Sequence, residues 1–388
     1  MPDSCRIADC SREIDRDQRP RSKYCSERCR ELNAHRKQNE RAHTEVVAEI
    51  GDADAREKAE LRKALRATQT KLARAKAKNE DLVAAVYEAA HDAMIVLGPV
   101  PEPQKPKNLT RPKDMRYDEV ALIHTTDWQL GKHTETYGMD ICEQRVRKLA
   151  EKVGILTSLQ RASHPVTKCH VMAGGDMVEN CDIFPGQAYE VEETLFGQMF
   201  RAVRILVNFI EDMLNIFDEV EFTGEPGNHG RLGRRGQFPA GDNADRMVYE
   251  IARQHFVGNP RVTWNGDSGG WHQIARVGNY TAMLIHGDEI KSFGGNTPAF
   301  GLLRKGTAWA SGVVEKFDDI YFGHFHTHMS LTLPNGGHMY GTGSTESDNA
   351  YAAEFVAAKG KPSQRLMFVD PRKGRVTAEY QVYLDDNE

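Results

Sequence analysis

Five short segments place acids, amides and imidazoles at close intervals. Thr125 to His133 reads TTDWQLGKH and offers Asp127 and Gln129; Gly174 to Asn180 reads GGDMVEN and offers Asp176. Gly227 to Arg231 reads GNHGR, with Asn228 and His229, and Ile285 to Glu289 reads IHGDE, with His286. Gly323 to His328 reads GHFHTH, with His324 and His326. Carboxylate, amide oxygen and imidazole together are ligands for hard or borderline divalent cations. Two such cations about 3.5–4 Å apart clamp the nonbridging oxygens of a phosphate and activate a water for in-line attack, the chemistry of phosphoester hydrolysis. A carboxylate must sit between the cations to offset their repulsion.

Such residues need rigid elements to bring them together. Each segment follows an apolar run of strand type: EVALIH before Asp127, KCHVMA before Asp176, EVEFTG before Asn228, TAMLIH ending at His286, and DIYFGH reaching His324. Helical stretches over roughly Met139 to Arg161, Gln187 to Phe217 and Asn243 to Val257 separate several of them. Strands alternating with helices predict an α/β layered sheet whose strand ends carry the ligand loops. The tail reads as strands HMYGTGS, RLMFVD and VTAEYQVYL, the last two joined by a PRKGR turn, completing a second sheet packed on the first.

In order and spacing the five segments resemble the calcineurin-like metallophosphoesterase family, whose motifs run D-x-H, GD, GNH, H and GHxH. The similarity covers about Val120 to Met329, and DWQLGK is most similar to the DWHLGK opening of SbcD-type DNA repair exonucleases within that family. The resemblance implies a sandwich of two mixed β-sheets flanked by helices. It also implies that Asp127, Gln129, Asp176 and His326 hold one metal, and that Asp176, Asn228, His286 and His324 hold a second, with Asp176 bridging. By the same resemblance His229 protonates the leaving oxygen or stabilises the transition state. Position 129 departs from the pattern, being Gln where the family has His. A neutral amide oxygen is a harder and weaker ligand than imidazole, which biases this site toward manganese or magnesium and away from zinc or iron. Manganese is the first expectation, with magnesium or iron as alternatives.

After GNH comes GRLGRRGQF, where Arg231, Arg234 and Arg235 sit on a Gly-rich loop. Guanidinium groups bind phosphate oxygens bidentately, so these arginines point to a polyanionic substrate. Lys132 and Lys291 are candidates for the same surface. His124, His133, His170 and His328 read as core or surface residues, with His133 the first substitute ligand. Trp128 and Phe325, each beside a ligand, read as wedges for the ligand loops.

The chain begins differently. Cys5, Cys10, Cys25 and Cys29 form a C-x4-C-x14-C-x3-C arrangement, and four thiolates close a tetrahedral structural zinc site. RSKYCSERCRELNAHRKQ is similar to short zinc-binding modules in which YCSxxCR begins a helix; His35 and His43 are alternative ligands. Arg19 to Arg41 holds eight Lys or Arg against three Glu, enough charge to dock on phosphates. Ala53 to Val86 lacks Pro and Gly and reads as a long helix. On it Leu61, Leu65, Thr68, Leu72, Ala75, Asn79, Leu82 and Val86 make a heptad seam, which predicts a coiled coil and a homodimer, or a helix folded back on the catalytic part. Five prolines between Gly98 and Lys113 mark an extended linker. The expected domains are therefore a zinc module (1–40), a long helix (41–97), a proline-rich linker (98–117) and a metallophosphoesterase domain (118–388).

The formal net charge is -5, yet the chain up to Asp118 carries 25 basic and 21 acidic residues and the remainder 26 and 35. A basic front and an acidic rear suit a DNA-binding module before a carboxylate-rich metal domain. No apolar run reaches the roughly 20 residues of a membrane span, and the start lacks a signal-peptide core, so a cytoplasmic bacterial or phage protein is expected. Only 62 residues follow His326, which speaks against the capping region and the SbcC-like ATPase partner of SbcD-type nucleases. The expected activity is metal-dependent hydrolysis of DNA phosphodiesters, as exonuclease or endonuclease. Two competitors are a phosphatase or phosphodiesterase acting on a phosphoprotein or small phosphoester, and a non-catalytic DNA-binding or assembly protein whose metal site has decayed, starting at Gln129.

Overall fold

A computed structural model describes residues 26–41, a scatter of positions between 63 and 91, and 117–385 apart from 185, 267–268, 292–297 and 347–360. The chain divides into two compact units, Met1–Val86 and Tyr87–Glu388. In the first, helix α1 (27–41) follows Ser26, whose hydroxyl accepts the Cys29 N–H at 3.2 Å and caps the first turn. Cys29 is buried, while Arg28, Arg30, Arg36, Lys37 and Arg41 are exposed along the helix. All described positions from 63 to 84 are helical. Cys5, Cys10, Cys25, His43, all eight seam residues and the proline-rich stretch lie outside the described residues.

The second unit holds two mixed sheets flanked by helices. Its strands are β1 (Glu119–Thr125), β2 (Val166–Ala173), β3 (Glu219–Gly224), β4 (Val262–Trp264), β5 (Gln273–Val277), β6 (Tyr280–Leu284), β7 (Asp319–Phe322), β8 (Met329–Thr332), β9 (His338–Gly341), β10 (Ser363–Asp370) and β11 (Arg375–Tyr383). A six-stranded sheet runs β11-β10-β1-β2-β3-β4 and a five-stranded one β5-β6-β7-β9-β8. β1, β2, β3 and β4 are parallel neighbours, as are β6, β7 and β9. Central parallel strands are covered on both faces, and β1, with five consecutive buried residues, has the near-continuous apolar run this demands.

Leu122, Met172, Met367 and Val369 of the first sheet interlock with Val277, Tyr280, Leu284, Tyr321 and Tyr340 of the second to form the central core. Each such large side chain stabilises by about 1.5–3 kcal/mol when buried. The helices are α2 (Met139–Gln160), α3 (Leu195–Ile216), α4 (Ala244–His255) and α5 (Ala299–Ala308). α3 carries buried residues at Ala202, Ile205, Leu206, Phe209, Ile210 and Met213, the three- and four-residue spacing of one helical face. It packs on β3 between α2 and α4.

Two expectations are corrected. The helix expected from Gln187 is a short 3-10 turn at Gln187–Tyr189, and α3 starts at Leu195. There the Thr194 hydroxyl accepts the Gly197 N–H and supplies the cap that the earlier residues lack. The last two strands do not complete the second sheet: β10 pairs antiparallel with β1 and extends the first. Every residue of β10 is buried, which suits an interior strand, whereas β11 has exposed residues along its length and forms the edge.

Candidate metal centre

The candidate ligands leave the carboxyl ends of five strands. Asp127 and Gln129 follow β1, Asp176 follows β2, Asn228 follows β3, His286 follows β6, and His324 and His326 follow β7. Side chains from both sheets thus meet at one end of the sandwich. The backbone is bent there in an unusual way. Six described non-glycine residues have positive φ: Asp127 (53°), Gln129 (41°), Asp176 (53°), Asn180 (73°), His324 (63°) and His326 (52°). Five of the six are candidate ligands. A left-handed residue costs about 1–3 kcal/mol and persists only where its surroundings over-determine it, as at functional sites.

Two glycines make room for this convergence. A Cβ on Gly227 would overlap the Asp176 carboxylate and N–H, and a Cβ on Gly323 would overlap the Asp127 carboxylate. Both positions therefore favour Gly because a candidate-ligand carboxylate occupies the space a side chain would need.

Three histidines share one design, Nδ1 tied back and Nε2 turned inward. His286 Nδ1 lies 2.8 Å from the Gly174 carbonyl, and its Nε2 lies 3.0 Å from Asp176 Oδ2 and 2.9 Å from Asn228 Oδ1. His326 Nδ1 lies 3.3 Å from Glu346 Oε2, and its Nε2 lies 3.4 Å from Asp127 Oδ1 and 3.3 Å from Gln129 Nε2. His229 Nδ1 lies 3.0 Å from the Glu179 carbonyl and 3.2 Å from its carboxylate, with Nε2 3.9 Å from Asp176 Oδ2. Tying back one ring nitrogen fixes which nitrogen is presented, the usual outer support of a metal-binding imidazole. His324 stands edge-on to His286, with ring centroids 5.1 Å apart, and its N–H donates to Asp127 at 3.0 Å.

The charges are tightly coupled. Burial raises the Asp176 carboxyl, but the rings of His286 and His229 outweigh it and hold the acid well below the usual carboxylate range. Burial lowers His286, and the Asp176 carboxylate more than reverses this, holding the ring well above its ordinary value. His326 follows the same pattern, with Asp127 and Glu346 lifting it to about 10 against burial. His324 is pushed down to about 4 by burial and by the charge of His286, and so is a neutral imidazole.

The donor set fits divalent cations. Ligand atoms of Asp176, His286 and His324 all lie within 4.8 Å of one another, a group able to hold a metal ion. Asp127, Gln129 and His326 form an adjoining cluster, where Gln129 Oε1 is buried without a hydrogen-bond partner among the described residues. An orphaned amide oxygen is costly unless something ligates it. Cations favour ionised carboxylate and neutral imidazole, so a bound cation would compete with the protons that this environment favours on His286 and His326.

Several supporting residues carried no signal of their own in the sequence. The buried Asp245 carboxylate accepts the N–H groups of Asp176 (2.8 Å), Met177 (3.0 Å) and Gly227 (2.8 Å), clamping two ligand loops together. Glu179 orients His229, and Glu346 contacts both His326 and Lys132. Asp245 is a first-turn acid of α4, and Glu346 stands outside every motif.

The remaining candidates divide. Arg231 is ion-paired with Asp288, two residues past His286, while Arg234 and Arg235 are exposed on the following loop. Phe184 lies over His229, with centroids 5.1 Å apart. Lys132 is not a surface lysine for phosphate, being engaged by buried Glu346 at 2.6 Å; Lys291 is exposed. His133 is exposed beside Glu192 and takes no part in the site. His124 and His170 are buried against Thr342 and Thr223, and His328 faces Glu379. Trp128 is fully buried, its indole N–H donating to Thr125 at 2.7 Å, and so wedges the first loop.

No family model and no curated protein matches the chain. Solved structures similar to it include zinc-complexed Vps29 from Entamoeba histolytica, at 11% identity over 68% of this chain and 99% of that one, with a TM-score of 0.30. Vacuolar protein sorting 29 from Cryptosporidium parvum is 13% identical over 69% of this chain and 99% of that one, with a TM-score of 0.32. A predicted phosphoesterase from Streptococcus pneumoniae is 11% identical over 68% of this chain and 98% of that one, with a TM-score of 0.31.

Proposed function

We propose that this chain is a two-metal-dependent phosphodiester hydrolase of the calcineurin-like type, cleaving DNA as an exonuclease or endonuclease. The observation that carries the reading is the meeting of Asp127, Gln129, Asp176, Asn228, His286, His324 and His326 at one end of the sandwich, five of them in left-handed backbone conformations. In this reading Asp127, Gln129, Asp176 and His326 would hold one cation and Asp176, Asn228, His286 and His324 the other, with Asp176 shared. Bound cations would supply Lewis acidity toward the phosphate oxygens and a water of lowered pKa.

The chain's own residues do the rest. Burial lowers His229, but Glu179 and Asp176 outweigh it and lift the ring to about 9 in the metal-free chain. With Nδ1 held by Glu179, Nε2 faces Asp176, and a proton there would serve the leaving oxygen. Arg231, fixed by Asp288, and exposed Arg234 and Arg235 supply guanidinium groups for a polyanionic backbone. We assign Cys5, Cys10, Cys25 and Cys29 to a structural zinc module, and the heptad helix to dimerisation.

The test incubates full-length protein with end-labelled single- and double-stranded DNA and manganese or magnesium, beside Asp176→Asn and an aryl phosphomonoester. Metal-dependent DNA cleavage lost in the variant supports the reading. Monoester turnover with intact DNA sinks it in favour of a phosphatase.

A further inference from the structure

The histidines at the centre are not supported alike. His286 is tied back by the neutral Gly174 carbonyl, whereas His326 is tied back by the Glu346 carboxylate. Glu346 is 4% exposed, and its second oxygen lies 2.6 Å from Lys132 Nζ. Lys132 closes the same DWQLGK segment that supplies Asp127 and Gln129. The Glu346 loop is pinned to that segment too. The Glu346 N–H donates to Ser344 Oγ at 2.8 Å, the Ser344 hydroxyl donates to the Asp127 carbonyl at 2.6 Å, and the Thr345 N–H donates to the same carbonyl at 3.3 Å.

We infer that Lys132 and Glu346 are positioning residues for the Asp127 cation site, locking the His326 ring so that Nε2 faces Asp127 and Gln129. The inference rests on the metal-site reading above. The placement answers a weakness of the ligand set, because Gln129 brings only a neutral amide. A buried carboxylate on the far nitrogen of His326 orients that ring and strengthens it as a ligand. Lys132 neutralises the carboxylate, which would otherwise be a second uncompensated acid beside Asp127. A contact between the DWQLGK lysine and the loop after β9 thus couples the first motif to the last.

The test is calorimetric titration of manganese into the full, metal-depleted chain, read without substrate. Glu346→Gln is expected to weaken one of two manganese sites on the order of 10–100-fold and leave the other within twofold. It should also reduce histidine nitrogen modulation in the pulsed-EPR spectrum of the manganese form. Lys132→Met should weaken the same site several-fold, and Lys132→Arg, which keeps the charge, should restore it. Two sites of wild-type affinity in Glu346→Gln overturn the inference and leave the metal-centre reading standing. A wild-type chain that binds no manganese overturns both. If Glu346→Gln does not fold, judged by urea unfolding, the Lys132 pair decides: equal affinities in Lys132→Met and wild type overturn the inference.

Discussion

The carboxylate of Asp245 accepts the backbone N–H of Asp176 at 2.8 Å, so an acid outside the ligand set holds the central ligand in its left-handed conformation. The same carboxylate takes the Gly227 N–H at 2.8 Å. Burial and the nearby Asp176 charge lift Asp245 to about 6 despite these bonds. Asp245→Ala would orphan several buried N–H groups at about 1–3 kcal/mol each. We expect a loss of roughly 3–5 kcal/mol in urea unfolding together with weakened manganese binding. A variant with wild-type stability and metal affinity would show that the clamp is idle.

Gly227→Ala tests whether the convergence is sterically tight. The added methyl must displace the Asp176 carboxylate. A displacement of about 1 Å at a reacting centre costs on the order of 10²-fold in rate. Manganese affinity should fall in parallel in the calorimeter. Unchanged binding would mean that Asp176 has freedom the packing denies it.

His229→Ala separates proton donation from metal binding. DNA hydrolysis should fall by about 10²–10⁴-fold while manganese affinity holds. The loss should shrink on an aryl phosphodiester, whose leaving group needs little protonation. Equal losses on both substrates would remove His229 from the acid role.

A fourth expectation concerns pH and the core. His170 is buried against Thr223, and burial pushes it down to about 4 from an ordinary 6.5. Between those values the unfolded chain takes up a proton that the folded chain refuses. Stability must therefore fall as pH drops through that window, by on the order of 1 kcal/mol per pH unit. His124, lowered to about 3 by burial and by Arg365, acts in the same direction. His170→Gln should flatten the acid limb of a urea-unfolding series between pH 6.5 and 4. An unchanged slope would contradict this assignment.

Much of the layered architecture and the convergence of the five candidate segments at the strand ends were legible in the sequence. Apolar strand runs ending in Asp, Asn or His announce themselves by residue type alone. What could not be read depends on the tertiary path. Whether SQRLMFVD joins β1 or the second sheet turns on which faces are buried, and a strand's composition does not say. The roles of Asp245 and Lys132 could not be read because their partners lie far along the chain, at Asp176 and Glu346. The left-handed ligands had only a faint trace, since Asp, Asn and His tolerate positive φ better than most residues.

The most direct measurement counts manganese bound at saturation by the second unit's site, by elemental analysis alongside zinc, while following cleavage of end-labelled DNA during the same titration. A two-metal DNA hydrolase with Gln129 in its ligand set binds two manganese ions per chain and gains activity as the weaker site fills. A single bound ion at saturating manganese, with DNA left intact, would contradict it.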